Sequence, residues 1–401
     1  MIKGRHIKKD EVVGESYLLN KSKFNLSKFN IRSVSTLIGL IAIGIVFAFL
    51  TDGLFVSPRN LTNLLRQIST NGVLSIGMTL LMISGNIDLS VGGGVALLAC
   101  MAAIMQVWYK LGATPAVIIT IIGGLVIGVW QGFWVVKGKI PAFIVTLAGM
   151  SIYRGLALLW TNGQGISPTT KQYNLIGQGF LHSTYTGIVL IAIFILWLIV
   201  TLLRRREMIK YNFLPDSFLK IAITSVVVAG LFVGIYYVSL AYEGMPVPGI
   251  ILVVLAAIAI FITKNTAFGR AIYAIGGNRE AARLSGIKVE KIIFFVFVLM
   301  GFFTAISAII LSARLHSGAG VMGYGMELDA IAAVIIGGTS LMGGSGAVIG
   351  TIIGAAIMGT IDNGMSLMGL SAHWKLIIKG LVVLFAVYSD LLMKRRSRSV
   401  I

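Results

Sequence analysis

Long unbroken apolar runs alternate with short polar breaks along almost the whole chain. The first runs from Val34 to Leu50 and is closed by Asp52-Gly53 and Ser57-Pro58. Further runs cover 68–84, 89–108, 115–136, 140–160, 186–203, 220–240, 248–263, 292–313, 327–343, 346–366 and 374–393, twelve in all. At about 1.5 Å of helical rise per residue, such runs suit a hydrocarbon layer about 30 Å thick, though several are near the lower limit. Strands of a membrane barrel would alternate apolar and polar side chains, and these runs do not. The pattern predicts an all-α integral membrane protein, a polytopic helical bundle of about twelve spanning segments. Ten to twelve crossings fit it, because short glycine-interrupted segments can re-enter from one side.

The composition agrees. Apolar residues make up 57% and charged residues 12% of the 401, against about 25% charged in a typical globular domain. A soluble domain of this length would lack material for its solvated faces. The same apolar content excludes a disordered chain.

The formal charge is +19, from 33 Lys and Arg against 14 Asp and Glu. Its placement matters more than its size. Of the basic residues, 23 lie in 1–32, 204–220, 264–291 and 394–401. Basic clusters flanking apolar spans mark the cytoplasmic side. Twelve crossings put all four clusters and both termini there, and the loop 161–185 and the Tyr242-Glu243-Gly244 turn on the other side. The expected partner of these clusters is anionic lipid, not nucleic acid. The chain thus divides into a basic cytoplasmic tail 1–32, a single transmembrane domain 33–393 and a basic tail 394–401. The first tail is longer than the basic region of a signal peptide and has no small-residue cleavage site, so it reads as uncleaved. Cys100 is the only cysteine and sits in an apolar run, a small buried hydrophobe. His6, His182, His316 and His373 are scattered without ligand spacing, so no metal site is expected.

Gly124, Gly128 and Gly132 form one ladder of glycines four apart, and Gly346, Gly350 and Gly354 another. Each lines one helix face and lets a second backbone approach closely, within the chain or across a subunit interface. The run Ile83-Ser84-Gly85-Asn86-Ile87-Asp88-Leu89-Ser90-Val91-Gly92-Gly93 echoes Ile336-Gly337-Gly338-Thr339-Ser340-Leu341-Met342-Gly343-Gly344, a sign of an internal repeat with interrupted helices. Asp88, Glu327, Asp329 and Asp362 lie in or beside apolar segments, where a carboxylate needs a cavity, a partner or an interface. Asp88 serves either as a helix cap ahead of Ser90 or as a pathway residue. Glu327 and Asp329 are expected near the outer mouth. Asn86, Asp88, Ser90, Thr339, Ser340 and Asn363 are the candidate pathway residues: hydroxyls and amides suit a sugar, acids suit a cation, and the sequence leaves both open. No G-x-x-x-x-G-K-[ST] phosphate loop or G-x-S-x-G element occurs, so any ATP hydrolysis belongs to another polypeptide.

The basic stretch 264–291 has its own local signals. Asn278 can cap a short helix with Glu280 and two alanines in its first turns, and Gly286 can end it. Glu280-Ala281-Ala282-Arg283-Leu284-Ser285-Gly286-Ile287 resembles the Glu-Ala-Ala coupling loop of ATP-binding cassette importer permeases. The segment 266–278 before it is similar to the same family, as are Glu327-Leu328-Asp329-Ala330-Ile331-Ala332-Ala333 and Ile336–Gly344 after it. So are Ile87-Asp88-Leu89-Ser90-Val91-Gly92 and Pro141–Met150. The combination resembles the permeases of ribose, xylose, arabinose and galactoside importers, over roughly residues 55–165 and 246–393. The resemblance implies a ten-helix core, here with 186–240 as an added pair of helices. It implies a bacterial inner-membrane permease that is not itself an enzyme and carries no cofactor, ATP and Mg belonging to a partner ATPase with two nucleotide-binding halves. A second copy of the chain and an extracytoplasmic sugar-binding protein complete the assembly it implies. The ATPase-coupling residues would be Gly277, Asn278, Arg279, Glu280, Ala281, Ala282, Arg283, Leu284, Ser285 and Gly286. The implied cargo is a monosaccharide, xylose first, with ribose, galactose or another small solute as alternatives. An ion-coupled secondary transporter using the buried acids is the reading from a different class.

Overall fold

The computed structural model describes residues 31–398 apart from 212, 214 and 216, with side chains described over 36–388. The expected tail 1–32 lies almost wholly outside the described residues, as do the side chains of the 394–401 tail. Among the described residues there are fifteen α-helices. They are α1 (Ile31–Leu50), α2 (Pro58–Ile83), α3 (Val91–Val107), α4 (Ala113–Val136), α5 (Ala142–Thr161), α6 (Lys171–Gln178), α7 (Ser183–Lys210) and α8 (Phe218–Ala241). Then come α9 (Val247–Asn265), α10 (Ala267–Gly277), α11 (Arg279–Leu284), α12 (Val289–Leu315), α13 (Met326–Ile336), α14 (Val348–Leu367) and α15 (Ala372–Arg398). A two-residue antiparallel ribbon, β1 (Phe180–Leu181) with β2 (Met245–Pro246), closes one end. That end is called below the ribbon end, and the other the α11 end.

Seven of these helices, α4, α5, α7, α8, α9, α12 and α14, are long and apolar enough to cross a membrane. The twelve-run pattern maps onto eleven helices of 17 to 28 residues and one exception. The exception is 327–343, where the helix is only 11 residues long. At about 1.5 Å per residue that is half a crossing. Helix α2 also begins ten residues before its apolar run does. Ser57 accepts from the Asn60 backbone at 3.4 Å and Pro58 takes the first helical position, so the start is set by capping, not hydropathy. The polar side chains of its first turns find partners: Asn60 and Asn363 of α14 pair their amides at 2.9 and 3.1 Å.

The first glycine ladder joins α4 to α12. A Cβ on Gly128 would stand 2.5 Å from the Phe297 carbonyl and 2.7 Å from Val298 Cα, and Gly124 rests on the backbone of Gly301. The second joins α14 to α13, with Gly350 against Gly337 and Gly354 against Ala333. Both ladders are therefore intramolecular packing surfaces. The run 186–240 is an antiparallel hairpin of α7 and α8 at the periphery, touching the remainder chiefly through α2. Its outward side chains are the apolar ones a lipid-facing pair requires.

Two segments are half non-helical and half helical. After α2 ends at the α11 end, residues 84–90 climb without helical structure before α3 begins. Ser90 lies under Gly149 and Gly93 against Met150, halfway along α5, and Gly94 faces Thr304 near the middle of α12. So α3 starts at mid-bundle. After α12, residues 316–325 descend from the ribbon end beside α3: Gly318 lies against Ala99, and Gly323 against Val95 and Gly92. Helix α13 starts only there. The two segments run in opposite directions, and their helix N-termini meet in the interior. This is an arrangement of interrupted helices at membrane depth, where backbone groups without helical partners need protein or a cavity around them.

Candidate functional site

At the α11 end, Thr266 caps α10 by accepting from Gly269 N at 3.1 Å. Asn278 then closes α10 and opens α11: its backbone N–H donates to Ala274 at 3.0 Å, and its side-chain oxygen accepts from Ala281 N at 3.0 Å. Helix α11 is therefore a separate six-residue element, as the sequence predicts. It stops because the chain reverses through Gly286 at φ +83°, a conformation glycine adopts at no cost. Only Ala282 of α11 is buried. Arg283 bridges Glu280 at 3.3 Å and also reaches Glu290. These side chains are about half exposed or more, so the pairs shape the surface and add little stability. Leu284, by contrast, points outward and is 88% exposed.

A second element reaches the same place. Between α13 and α14 the chain forms a tight turn in which Ser340 N donates to Ser345 O at 2.9 Å and Gly343 N to Ser340 O at 3.2 Å. Gly343 and Gly344 lie on the backbone of Gly276 and Gly277 at the end of α10, and Gly344 N donates to Ile83 O at 2.9 Å. Tyr273 of α10 donates its hydroxyl to Gly346 O at 2.8 Å. Burial pushes the Tyr273 phenol above its ordinary value, so it remains a neutral donor. The two echoing sequence runs thus start at matching places. Ile83 ends α2, Ile336 ends α13, and the turns that follow touch.

At mid-bundle, Asp88 accepts from Ser90 N at 2.7 Å and from Ser90 Oγ at 2.6 Å. The Gln131 amide of α4 donates to the same Ser90 hydroxyl. Tyr153 of α5 is buried beside them. Glu327, in the first turn of α13, sets its carboxylate against Gly92 in the first turn of α3. A carboxylate there complements the positive end of the α3 dipole. Arg154 of α5 holds the descending turns by donating to the carbonyls of Gly320 at 2.7 Å and Met322 at 2.6 Å. Lys379 of α15 is bonded to Asp329 at 2.8 Å and lies 3.2 Å from Asp362.

The six expected pathway residues fall in three places. Asp88 and Ser90 are at the mid-bundle junction. Asn86 stands near the 340–345 turn that holds Thr339 and Ser340, at the α11 end. Asn363 is at the ribbon end with Asn60. Glu327 lies at the junction and not at an outer mouth, because the 316–325 series of turns carries the chain inward before α13 starts. Gln131, Tyr153 and Arg154 were not singled out from sequence. Arg154 carried the clearest signal, being a lone cation inside an apolar run. Among the described residues no cluster of three or more His, Cys, Asp or Glu suits a metal.

The family model described as a branched-chain amino acid transport system permease component matches residues 60–387. The xylose transport system permease protein of Haemophilus influenzae is 43% identical over 378 residues, covering 93% of this chain and all of that relative. The protein of the same description in Escherichia coli K12 is 43% identical, covering 93% of this chain and 95% of its own. The ribose import permease protein of Bacillus subtilis is 35% identical over 363 residues, covering 90% of this chain and 92% of its own. No solved structure matches the chain. Interrupted helices inside a multi-pass bundle are what a permease requires, and with the family model spanning residues 60–387 the chain belongs to the family of transport system permease components.

Proposed function

We propose that this permease is the membrane subunit of an ATP-driven importer that moves D-xylose inward across a bacterial inner membrane. The observation that carries the reading is α11, a capped, charged and mostly exposed helix between two spans. A short helix with one buried residue adds little to the membrane core, but it suits a groove on a second protein. The higher likeness to xylose permeases, 43% identity against 35% for the ribose permease over comparable lengths, supports the cargo. In this reading two copies of the chain pair, an ATPase with two nucleotide-binding halves carries the ATP and Mg, and a sugar-binding protein docks at the ribbon end. Both termini and the α11 end face the cytoplasm. Closure of the ATPase draws the two α11 helices together and turns the bundle between inward and outward openings.

The ion-coupled alternative is less well supported. Asp88 is engaged by Ser90, and Asp329 and Asp362 share Lys379, so each acid already has a partner within the chain. Uptake into proteoliposomes separates the two. Labelled xylose should accumulate only with ATP, the ATPase and the binding protein present. Accumulation driven by a proton gradient without the ATPase would overturn the class, and faster uptake of ribose would overturn the cargo alone.

The orientation has its own test. Cysteines placed at Lys288 or Arg206 should resist an impermeant thiol reagent in intact cells, and cysteines at Gln172 or Glu243 should react. The native Cys100 is buried and should stay silent. The opposite pattern would invert the topology.

A further inference from the structure

Of the exposed apolar side chains at the α11 end, two sit on the elements that meet at the end of α10. Leu284 is 88% exposed and Met342 is 78% exposed. Neither lies in a spanning helix. Leu284 is set among Arg279, Glu280, Arg283 and Lys288. Met342 is the tip of the 340–345 turn, where its own N–H donates to Ser340 Oγ at 3.1 Å. That turn is not loosely attached. Gly343 and Gly344 lie backbone to backbone on Gly276 and Gly277, so its base touches α10 within two residues of Arg279, where α11 begins. Helix α11 and the turn therefore share one rigid mount and present one apolar group each.

We propose that Leu284 and Met342 form a two-point apolar anchor for the ATPase subunit, with the 340–345 turn as a second docking element beside α11. The inference rests on the coupling role proposed for α11 and extends it to a part of the chain 55 or more residues away in sequence. Exposed apolar side chains ringed by polar ones are the usual composition of an interface anchor and its rim. The seat on the partner should be two apolar sockets with an acidic border, because Arg279, Lys288 and Lys291 surround α11 with positive charge. Two anchors on one mount also resist rotation, which a single short helix would not. Movement of the ATPase would then reach α13 and α14 directly through the turn, as well as through α11.

Cross-linking within the assembled complex of permease, ATPase and binding protein tests the inference. Cys100 is the chain's only cysteine and is buried, so a single introduced thiol reports cleanly. With a short bifunctional maleimide, Met342→Cys should cross-link to the ATPase subunit. Cross-linking only to the second permease copy, or to nothing, would overturn the anchor at Met342. Leu284→Cys is the independent control. If it cross-links to the ATPase and Met342→Cys does not, the coupling role of α11 stands and the second element fails. If Leu284→Cys also fails to reach the ATPase, the coupling reading itself is wrong. A second measurement uses Met342→Asp, which should lower co-purified ATPase by about tenfold, while Met342→Leu keeps it near wild type. Thermal unfolding of each variant permease in detergent should match wild type, since Met342 buries little in the chain. Unchanged ATPase recovery with Met342→Asp would overturn the proposal.

Discussion

Replacing Lys379 by Met should destabilise the folded permease by about 3–5 kcal/mol, the cost of breaking a buried ion pair from one side. Lys379 Nζ lies 2.8 Å from Asp329 Oδ2 and 3.2 Å from Asp362 Oδ1, and its side chain is 17% exposed. The Asp329 side chain is 5% exposed. Its other oxygen, Oδ1, is buried with no hydrogen-bond partner in the structure. Without the ammonium, two carboxylates from α13 and α14 would face each other beside the apolar bundle, and neither could reach bulk water easily. The loss should appear as a lower unfolding temperature in detergent and as easier unfolding by denaturant. The double variant Asp329→Asn, Lys379→Met removes the stranded charge and should recover most of the loss. Asp362→Asn alone should cost much less, because Asp362 is the more exposed of the two acids and a partly solvated pair contributes about 1 kcal/mol or less. Wild-type stability for Lys379→Met would mean that the network does not hold α15 against the start of α13.

That network also shows what the sequence could and could not reveal. The spans were legible because an unbroken apolar run has one economical fate in a bilayer, and α11 was legible because its signals are local. Asn278 and Gly286 lie within a turn or two of the groups they satisfy. The half-length α13 was not legible. Hydropathy sums its residues with Leu341 and Met342 of the following turn, so helix and turn together imitate a crossing. The segment 316–325 reads as an ordinary glycine-rich loop. Only its close contacts with α3, at Ala99, Val95 and Gly92, show that it runs into the bundle. Those contacts join residues more than 200 positions apart, and no local pattern records them. Glu327 was misplaced for the same reason: its depth depends on where the segment before it goes. The 340–345 turn carries the same lesson. Thr339 and Ser340 are polar residues in an apolar stretch, a candidate pathway, and no local pattern shows that their turn is seated on α10 by backbone contacts.

Replacing Gly276 by Val should cut sugar uptake by about tenfold or more while the complex still assembles. The site is a junction of three backbones. A Cβ at Gly276 would fall on the Ile83 carbonyl at the end of α2 and on the Gly344 amide of the 340–345 turn. Those two groups are bonded to each other at 2.9 Å, so the new side chain would have to part a hydrogen bond as well as find room. The three nearest atoms are all main chain, so no flexible side-chain end stands in the way to yield. Inserting bulk into a closed contact costs about 1–3 kcal/mol, which shifts a conformational balance by about fivefold to over a hundredfold. The penalty falls on the state in which the junction is closed, so the movement of α11 should no longer carry the turn and the end of α2 with it. Gly277 supplies the control. Nothing lies within 4 Å of a Cβ placed there, so Gly277→Ala should transport within about twofold of wild type, as open surface substitutions generally do. Uptake, ATP hydrolysis and ATPase co-purification should be measured together. The expected result for Gly276→Val is an intact complex that hydrolyses ATP and moves little sugar. Uptake at the wild-type rate would show that the three backbones need not stay together during transport, and that α11 acts on the bundle by another route.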